Sequence, residues 1–341
     1  MPRLNPFASG RTKLTKLWDA SIDGHVVSLA WSDALGLVAA ASAEGPITLF
    51  DAKTGQARFT LDGHGFGTSH LAWSPDGQRL ASAGQDGKVR LWDPIAGKQT
   101  HALAAGVSWV ERVAWGPALA SAAGKKLRLW NRDGEMLREY PDHASTITDI
   151  QWHPKESILA SVTYGMLAWW RPDEAAAVRE LKWASSMLAV AWSPDARHIA
   201  VGGQDSTVHF WVVATGDNLQ MSGYPTKVRE LSWDATGRWM ATGGGEAICV
   251  WDFAGAGPEG STPIQLEAHT ENLACLAYQP RGALLASGGE DGLVALWQPS
   301  MQQGPLALAR HDAAVSQLAW SSDDRRLAVG TAEGSIALYT T

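Results

Sequence analysis

The chain has 341 residues, with 28 lysines and arginines against 35 aspartates and glutamates, which gives a formal net charge of −7. Nucleic-acid binding depends on clustered basic side chains, so this balance argues against nucleic acid as the main partner. No run of about 18 apolar residues is present, and the first residues lack the apolar core of a signal peptide. We therefore expect a cytoplasmic protein with neither a nucleic-acid nor a membrane partner.

The chain begins with a polar segment and a short apolar one. Residues 1–12 contain two prolines and two arginines and are predicted to be an N-terminal tail. Leu14–Ile22 is predicted to be a β-strand. Residues 13–341 are predicted to form a single domain, because the pattern described next continues through them without a break.

The clearest local pattern is a hairpin over Leu80–Asp93. An apolar strand leads into Asp86-Gly87, and after that pair Val89 and Leu91 alternate with charged residues. Asp-Gly between two alternating runs is a strong hairpin signal, since both central residues of a two-residue type I′ turn have positive φ. We expect that turn at Asp86-Gly87.

This hairpin pattern occurs eight times, and we number the copies repeats 1 to 8. The first strand of each repeat ends in an aromatic residue: Trp31, Trp73, Trp115, Trp152, Trp192, Trp233, Tyr278 and Trp320. The hairpin of each repeat closes on another: Phe50, Trp92, Trp130, Trp170, Trp211, Trp251, Trp297 and Tyr339. A period near 40–45 residues with four strands in each unit is typical of propeller blades.

The pattern resembles the WD40 repeat family from about residue 13 to the end of the chain. The Trp-Asp pair that names the family occurs at Trp92-Asp93 and Trp251-Asp252, and the Ser-Pro-Asp-Gly turn occurs at Ser74–Gly77. The resemblance implies an all-β fold, a closed WD40-type β-propeller with eight four-stranded blades; seven, the commoner number in the family, is the alternative. Repeat 8 runs out of chain after Tyr339, so Leu14–Ile22 is expected to supply its fourth strand and complete the last blade.

Two repeats contain the residue types of a hydrolase triad. His, Ser and Asp occur together with a closing Trp, and the two sets are His64, Ser82, Asp86 and Trp92, and His269, Ser287, Asp291 and Trp297. Trp can only donate, Ser and neutral His can donate and accept, and Asp only accepts, so the four side chains can satisfy one another in a chain. The resemblance implies the same structural tetrad, and we expect no catalytic residue.

The other repeats lack parts of this set. His143, Ser161 and Trp170 occur without an Asp, and Asp205 occurs without the His or the Ser. His311 is expected to face Val329 and Glu333. Trp183 and Tyr224 stand where the tetrads have His. These repeats are expected to be held by apolar packing and to be less hydrogen-bonded than repeats 2 and 7.

A partner-binding face is predicted where the resemblance implies that loops line the narrow side of the disc. The distinctive residues at those positions fall in the third to sixth repeats: Trp109, Glu111, Tyr164, Gln204, Lys227 and Arg229. Trp, Tyr and Arg are enriched in binding hot spots. A competing interpretation is that Trp109 only fills a gap between blades.

The predicted function is a non-enzymatic scaffold that presents a rigid propeller face to a protein or peptide partner. The alternative is an enzyme, or a small-ligand or metal binder, that uses the central channel, with His25 as the best candidate ligand. No metal-binding motif or cofactor motif is present, so no cofactor and no metal site are expected. The protein is expected to be a monomer on its own.

Overall fold

A computed structural model describes residues 13–107, 109–255, 257–301 and 304–341, so the predicted tail 1–12 lies outside the described residues. Within this part of the chain the regular structure is β-strand, apart from one 3-10 turn at Pro299–Met301. None of its helical segments is long and apolar enough to cross a membrane. The all-β prediction is confirmed.

The described residues form 31 strands, numbered in chain order. They are β1 (Thr15–Ser21), β2 (Val26–Ser32), β3 (Leu37–Ser42), β4 (Ile47–Asp51), β5 (Ala57–Leu61), β6 (Thr68–Trp73), β7 (Leu80–Gly84), β8 (Lys88–Asp93), β9 (Lys98–Ala104), β10 (Val110–Trp115), β11 (Leu119–Ala123), β12 (Lys126–Trp130), β13 (Met136–Glu139), β14 (Asp149–Trp152), β15 (Leu159–Val162) and β16 (Tyr164–Trp170). The remainder are β17 (Arg179–Trp192), β18 (His198–Gly203), β19 (Val208–Val212), β20 (Asn218–Met221), β21 (Leu231–Trp233), β22 (Trp239–Thr242), β23 (Ile248–Asp252), β24 (Ile264–Leu266), β25 (Leu273–Tyr278), β26 (Leu285–Gly289), β27 (Leu293–Trp297), β28 (Ala307–Arg310), β29 (Val315–Trp320), β30 (Arg326–Thr331) and β31 (Ser335–Thr340).

These strands pair into six four-stranded antiparallel sheets and one seven-stranded sheet. Each sheet begins with the strand that carries the first aromatic mark of a repeat, followed by the two hairpin strands and an outer strand. The sheet of repeat 8 takes its outer strand from the start of the chain, since β1 pairs with β31 from Thr15 opposite Thr340 to Ser21 opposite Ser335. The N-terminal strand therefore lies where the sequence predicted it.

The hairpin of repeat 2 differs from the predicted turn. Gly87 has φ 74°, but Asp86 is absent from the residues with positive φ, and the Gly87 amide donates to the Gly84 carbonyl at 3.3 Å. The connection is thus a three-residue loop with a type I turn followed by a left-handed glycine. The type I′ assignment was wrong because the Asp side chain faces the tetrad, and its backbone stays in the ordinary region.

The core lies between neighbouring sheets. Val89 and Leu91 of repeat 2 pack in one buried cluster with Val113 and Leu119 of repeat 3, and equivalent clusters join other neighbours. Alternation along each strand places these side chains on the faces that meet. Burying a Leu or Val side chain contributes about 1.5–3 kcal/mol, so sheet-to-sheet contact is the main stabilising term.

The first and last repeats are in contact through their inner strands. The Trp31 indole donates to the Ala319 carbonyl at 2.9 Å, and the Ser316 hydroxyl donates to the Val26 carbonyl at 2.8 Å. The indoles of Trp152 and Trp320 donate in the same way to the preceding inner strand, at 3.1 and 2.9 Å. One kind of contact is thus used between repeats 8 and 1 and between consecutive repeats.

Repeats 4 and 5 are joined more closely than the sequence predicted. The outer strand of repeat 4 and the inner strand of repeat 5 are one 14-residue strand, β17. Its first part pairs with β16 and its last part with β18, which produces the seven-stranded sheet. Residues 179–192 contain no Gly or Pro, so nothing in the sequence interrupts the extended backbone.

Candidate protein-binding site

The predicted tetrads are built from three elements of each repeat. In repeat 2 the Trp92 indole donates to Ser82 Oγ at 2.9 Å, Ser82 Oγ lies 2.8 Å from His64 Nε2, and His64 Nδ1 lies 2.8 Å from Asp86 Oδ1. Arg90 adds a bond to the other Asp86 oxygen at 3.0 Å. Repeat 7 has the same order of contacts, at 2.9, 2.8 and 3.1 Å.

Burial determines the charge state of the tetrad in repeat 2. It lowers the pKa of His64 although Asp86 opposes the shift, so this imidazole is neutral at neutral pH. Burial acts to raise the pKa of Asp86, but hydrogen bonds from His64 and Arg90 outweigh it and the pKa is lowered. Both atoms of Ser82 that could react are engaged, since its oxygen accepts from the indole and its proton is shared with the imidazole.

Repeats 3 and 4 were expected to rely on apolar packing but have shorter hydrogen-bonded sets. Trp130 donates to Ser121 Oγ at 2.9 Å in repeat 3. Ser161 Oγ lies 2.8 Å from the Trp170 indole nitrogen and 2.9 Å from His143 Nε2 in repeat 4. The expectation of apolar packing alone was wrong because the closing Trp keeps a buried N–H, which needs an acceptor whether or not the whole tetrad is present. These repeats nevertheless have fewer such hydrogen bonds than repeat 2, as expected.

Repeat 6 satisfies its indole in a different way. Tyr224 occupies the position predicted for His, and its hydroxyl lies 2.8 Å from Thr242 Oγ1 and 3.0 Å from the Trp251 indole nitrogen. A phenol hydroxyl can donate to one partner and accept from the other. A Tyr–Thr pair therefore replaces the His–Ser pair.

Repeats 5 and 8 lack the serine. In repeat 5 the Trp183 ring stacks on His209 with centroids 4.0 Å apart, and Asp205 Oδ1 accepts from Thr207 Oγ1 at 2.8 Å. In repeat 8 His311 Nε2 lies 3.2 Å from the Tyr339 hydroxyl. The sequence predicted that His311 faces Val329 and Glu333, and it did not predict this contact.

The residues predicted to bind a partner lie at one end of the strands. Loops that enter inner strands and turns within hairpins share this end in antiparallel four-stranded sheets, and backbone hydrogen bonds such as Gln204 N to Ser186 O join the two sets. Trp109 is 55% exposed and Tyr164 is 61% exposed. Gln204, Lys227 and Arg229 are exposed and Glu111 is half-buried. We call this end the loop face.

Two exposed apolar residues of the loop face were missed from the sequence. Phe66 is 78% exposed in the loop that enters repeat 2, and Val107 is fully exposed in the loop that enters repeat 3. Each occurs in a glycine-containing loop, where an apolar side chain has no strand neighbour to cover it. That signal was available in the sequence.

The inner strands carry a half-buried charged pair. Arg112 Nε lies 3.2 Å from Asp149 Oδ1, and the Val190 amide donates to the other Asp149 oxygen at 3.0 Å. Burial raises the pKa of Asp149 although Arg112 opposes it. His25 is exposed at the loop face. Among the described residues no three His, Cys, Asp or Glu side chains lie close enough together to hold a metal ion.

Comparison with known proteins agrees with this architecture. The sequence model of the family described as WD domain, G-beta repeat matches six segments that together cover more than half of the chain: 55–93, 134–170, 178–212, 218–252, 260–298 and 306–340. The computationally designed Ika8 protein, a solved structure, superposes with a TM-score of 0.83 at 22% identity, over 97% of this chain and 100% of that one. At this identity the likeness concerns the fold alone.

Curated relatives cover the chain in part. THO complex subunit 3 of Arabidopsis thaliana is 26% identical over 56% of this chain and 63% of its own length. The B-type cell cycle switch protein ccs52A of Medicago truncatula is 23% identical over 84% of this chain and 53% of its own. The chain thus spans less than two thirds of the length of these relatives. Because the sequence model of the WD40 repeat family matches six segments that cover more than half of the chain, this protein belongs to the WD40 repeat family.

Proposed function

We propose that the chain closes into a propeller of eight four-stranded blades. The pairing of β1 with β31 and the Trp31–Ala319 hydrogen bond between repeats 8 and 1 support closure. The seven-stranded sheet supports a count of eight, because β17 supplies both an outer and an inner strand. Seven blades would leave one inner strand without a place.

We infer that the protein is a non-enzymatic interaction scaffold whose loop face binds a protein or peptide. WD40 repeat proteins act as protein-interaction scaffolds, and the exposure of Trp109 and Tyr164 is the observation that carries the inference to this chain. Large aromatic rings left in water on a rigid frame, with Arg229 exposed on the same face, have the composition of a hot spot. Gln204, Lys227 and Glu111 supply polar contacts around them.

The hydrogen-bonded His, Ser and Asp sets support a structural role and argue against the enzyme alternative. Each set lies within one repeat, whereas an active site needs several titratable groups that converge on one cleft. Two relatives carry names that refer to assemblies, "THO complex subunit 3" and "Cell division cycle 20.1, cofactor of APC complex". We propose that this chain is a cytoplasmic monomer that joins such an assembly by binding a protein partner. We propose neither a nucleic-acid partner nor a membrane partner for it.

The test is a comparison of two double variants of the full chain. Trp109→Ala with Arg229→Ala removes an exposed apolar side chain and an exposed Arg from the loop face, and Ile95→Ala with Arg197→Ala removes an exposed apolar side chain and an exposed Arg from the opposite end. Proteins that co-purify with the wild type should be lost with the first variant and kept with the second. Equal recovery with both variants would refute the proposed site.

Both variants should unfold within about 1 kcal/mol of the wild type, because surface substitutions seldom cost more. A much larger loss of stability in the first variant would show that Trp109 fills a gap between blades, as the competing interpretation holds.

A further inference from the structure

The loop face is divided into an acidic part and an apolar part. Eight of its loops and turns, from the hairpin turn of repeat 6 through repeats 7, 8 and 1 to the loop that enters repeat 2, contain no Lys or Arg. We call this stretch the acidic arc. Its carboxylates outside the tetrad are Glu246, Glu267, Glu271, Glu290, Asp312, Glu333, Asp23, Glu44 and Asp62.

The carboxylates of the acidic arc are in contact with water and lack basic partners. All nine are exposed. Within the described residues none of them makes a salt bridge. The nearest basic residue along the chain, Arg310, ends β28 and donates to the Asp291 backbone carbonyl.

The opposite end of the strands, by contrast, carries ion pairs. Arg171 pairs with Glu156 at 3.0 Å, and Arg238 pairs with Asp252 at 2.8 Å. Some carboxylates at that end are therefore paired with arginines, whereas, in the part of the chain that the structure describes, none of the nine carboxylates of the acidic arc is. Like charges held on one rigid face repel one another and attract cations, which gives the loop face a directional field.

An apolar surface adjoins the acidic arc. Asp62 and Phe66 lie in the same loop, and Val107 follows in the loop that enters the next repeat. Phe66 is 78% exposed, and Val107 is fully exposed. Neither apolar side chain has a covering element among the described residues. A ligand that reached both surfaces would need positive charge at one end and apolar groups at the other.

We propose that the loop face binds a basic segment of a partner protein, with Lys or Arg side chains along the acidic arc and an apolar residue on Phe66 and Val107. This proposal rests on the proposed scaffold function and adds the chemistry of the partner. Complementary charge speeds the encounter and orients the segment. The apolar contact removes apolar surface from water, which binding of a simple counterion does not do.

The probe is a fluorescein-labelled peptide with four arginines around a central Leu-Phe pair, and binding is measured by fluorescence polarisation. In one control peptide the arginines are glutamines, and in a second the central pair is glycine. The wild type should bind the first peptide at least about tenfold more tightly than either control. Binding should weaken steeply between about 0.05 and 0.15 M salt, since exposed charges are screened.

Two charge-matched variants locate the site. Asp23→Lys, Asp62→Lys and Asp312→Lys together change the acidic arc, and Asp173→Lys, Glu174→Lys and Asp217→Lys make the same change in net charge at the opposite end. The first should weaken peptide binding at least about tenfold, and the second less than about twofold. A further variant, Phe66→Ser, should reduce the advantage of the Leu-Phe peptide over the glycine control.

The proposal would be overturned if the wild type did not bind the basic peptide or if both charge variants lost affinity equally. It would also be overturned by equal affinity for the glycine control, because that result indicates attraction between charges only. Failure here is separable from failure of the scaffold function. If proteins still depend on Trp109 and Arg229 for co-purification while the basic peptide does not bind, only the chemistry assigned to the partner is wrong.

Discussion

Repeats 2 and 5 have the same four-stranded pairing, but different side-chain interactions hold their strands together. In repeat 2, Ser82 lies at the centre of a chain of hydrogen bonds. In repeat 5 the equivalent position is Val201, and the ring of Trp183 lies against His209. The Trp183 indole nitrogen and His209 Nδ1 are buried without a partner among the described residues. Ring stacking has replaced the central hydrogen bonds of the tetrad there, and His209 keeps one contact, from Nε2 to Asn218 Oδ1 at 3.1 Å.

The two repeats also differ in backbone strain at equivalent turns. Repeat 2 uses Gly77 and Gly87, with φ 67° and 74°, and repeat 5 uses Ala196 and Ser206, with φ 66° and 60°. A left-handed conformation costs about 1–2 kcal/mol for a residue with a Cβ. The comparison shows that the repeat geometry is imposed by neighbouring sheets, because repeat 5 keeps it without the residues that favour it locally.

The largest effect should come from His209 of repeat 5, in the pH dependence of the free energy of unfolding. Burial lowers the pKa of His209 to about 4 from an ordinary value of 6.5. As pH falls, the unfolded chain takes up this proton first, so stability present above pH 6.5 is lost between about 6.5 and about 4, up to about 3 kcal/mol. Urea unfolding of wild type and His209→Phe across this range should give a smaller loss for the variant. Parallel curves would contradict the assignment.

Removal of the serine hydroxyl that accepts from the closing Trp should lower the free energy of unfolding more in repeat 2 than in repeat 3. Ser82→Ala leaves both the Trp92 N–H and His64 Nε2 without partners, and we expect a loss of about 2 kcal/mol. Ser121→Ala leaves only the Trp130 N–H and should cost about 1 kcal/mol. The measurement is the free energy of unfolding in urea at pH 7, and equal losses would show that the His contact contributes nothing.

Amide exchange should distinguish the repeats in the unmodified protein. Strands around Ser82 and Ser287 are linked by the hydrogen bonds of a tetrad, whereas strands β18 and β19 of repeat 5 lack a tetrad and have only the His209–Asn218 contact to the outer strand. We expect the latter to exchange about tenfold faster, equivalent to about 1.4 kcal/mol in local opening. Hydrogen-exchange mass spectrometry measures this, and uniform protection would contradict it.

The smallest effect is expected from relief of backbone strain in repeat 5. Ala196→Gly and Ser206→Gly should each raise the free energy of unfolding by about 0.5–1 kcal/mol. Gly36→Ala is the reverse control, since Gly36 has φ 62° and an added Cβ would have no atom within 4 Å. That variant should lose a similar amount, and a gain in Gly36→Ala would refute the argument.

Much of the repeat architecture was predictable because its signals are local. Strand periods, the aromatic marks and the outer strand at the N-terminus all follow from residues close together in sequence, as with the predicted strand Leu14–Ile22, of which Thr15–Ser21 forms β1. Substitutions at tetrad positions were harder. Tyr224 was located correctly, but its bonds to Trp251 and Thr242 depend on side chains from separate strands. The exposure of Phe66 was missed although its glycine-containing loop indicated it.

The sequence alone determined that this protein is built from eight copies of one pattern and that two copies hold full sets of His, Ser, Asp and Trp, because alternation and spacing are properties of short segments. Tertiary structure alone decided which polar atoms find partners, that β17 runs unbroken through two repeats, and which carboxylates remain unpaired on the loop face. Those outcomes depend on distances between residues far apart in the chain, which no spacing rule specifies.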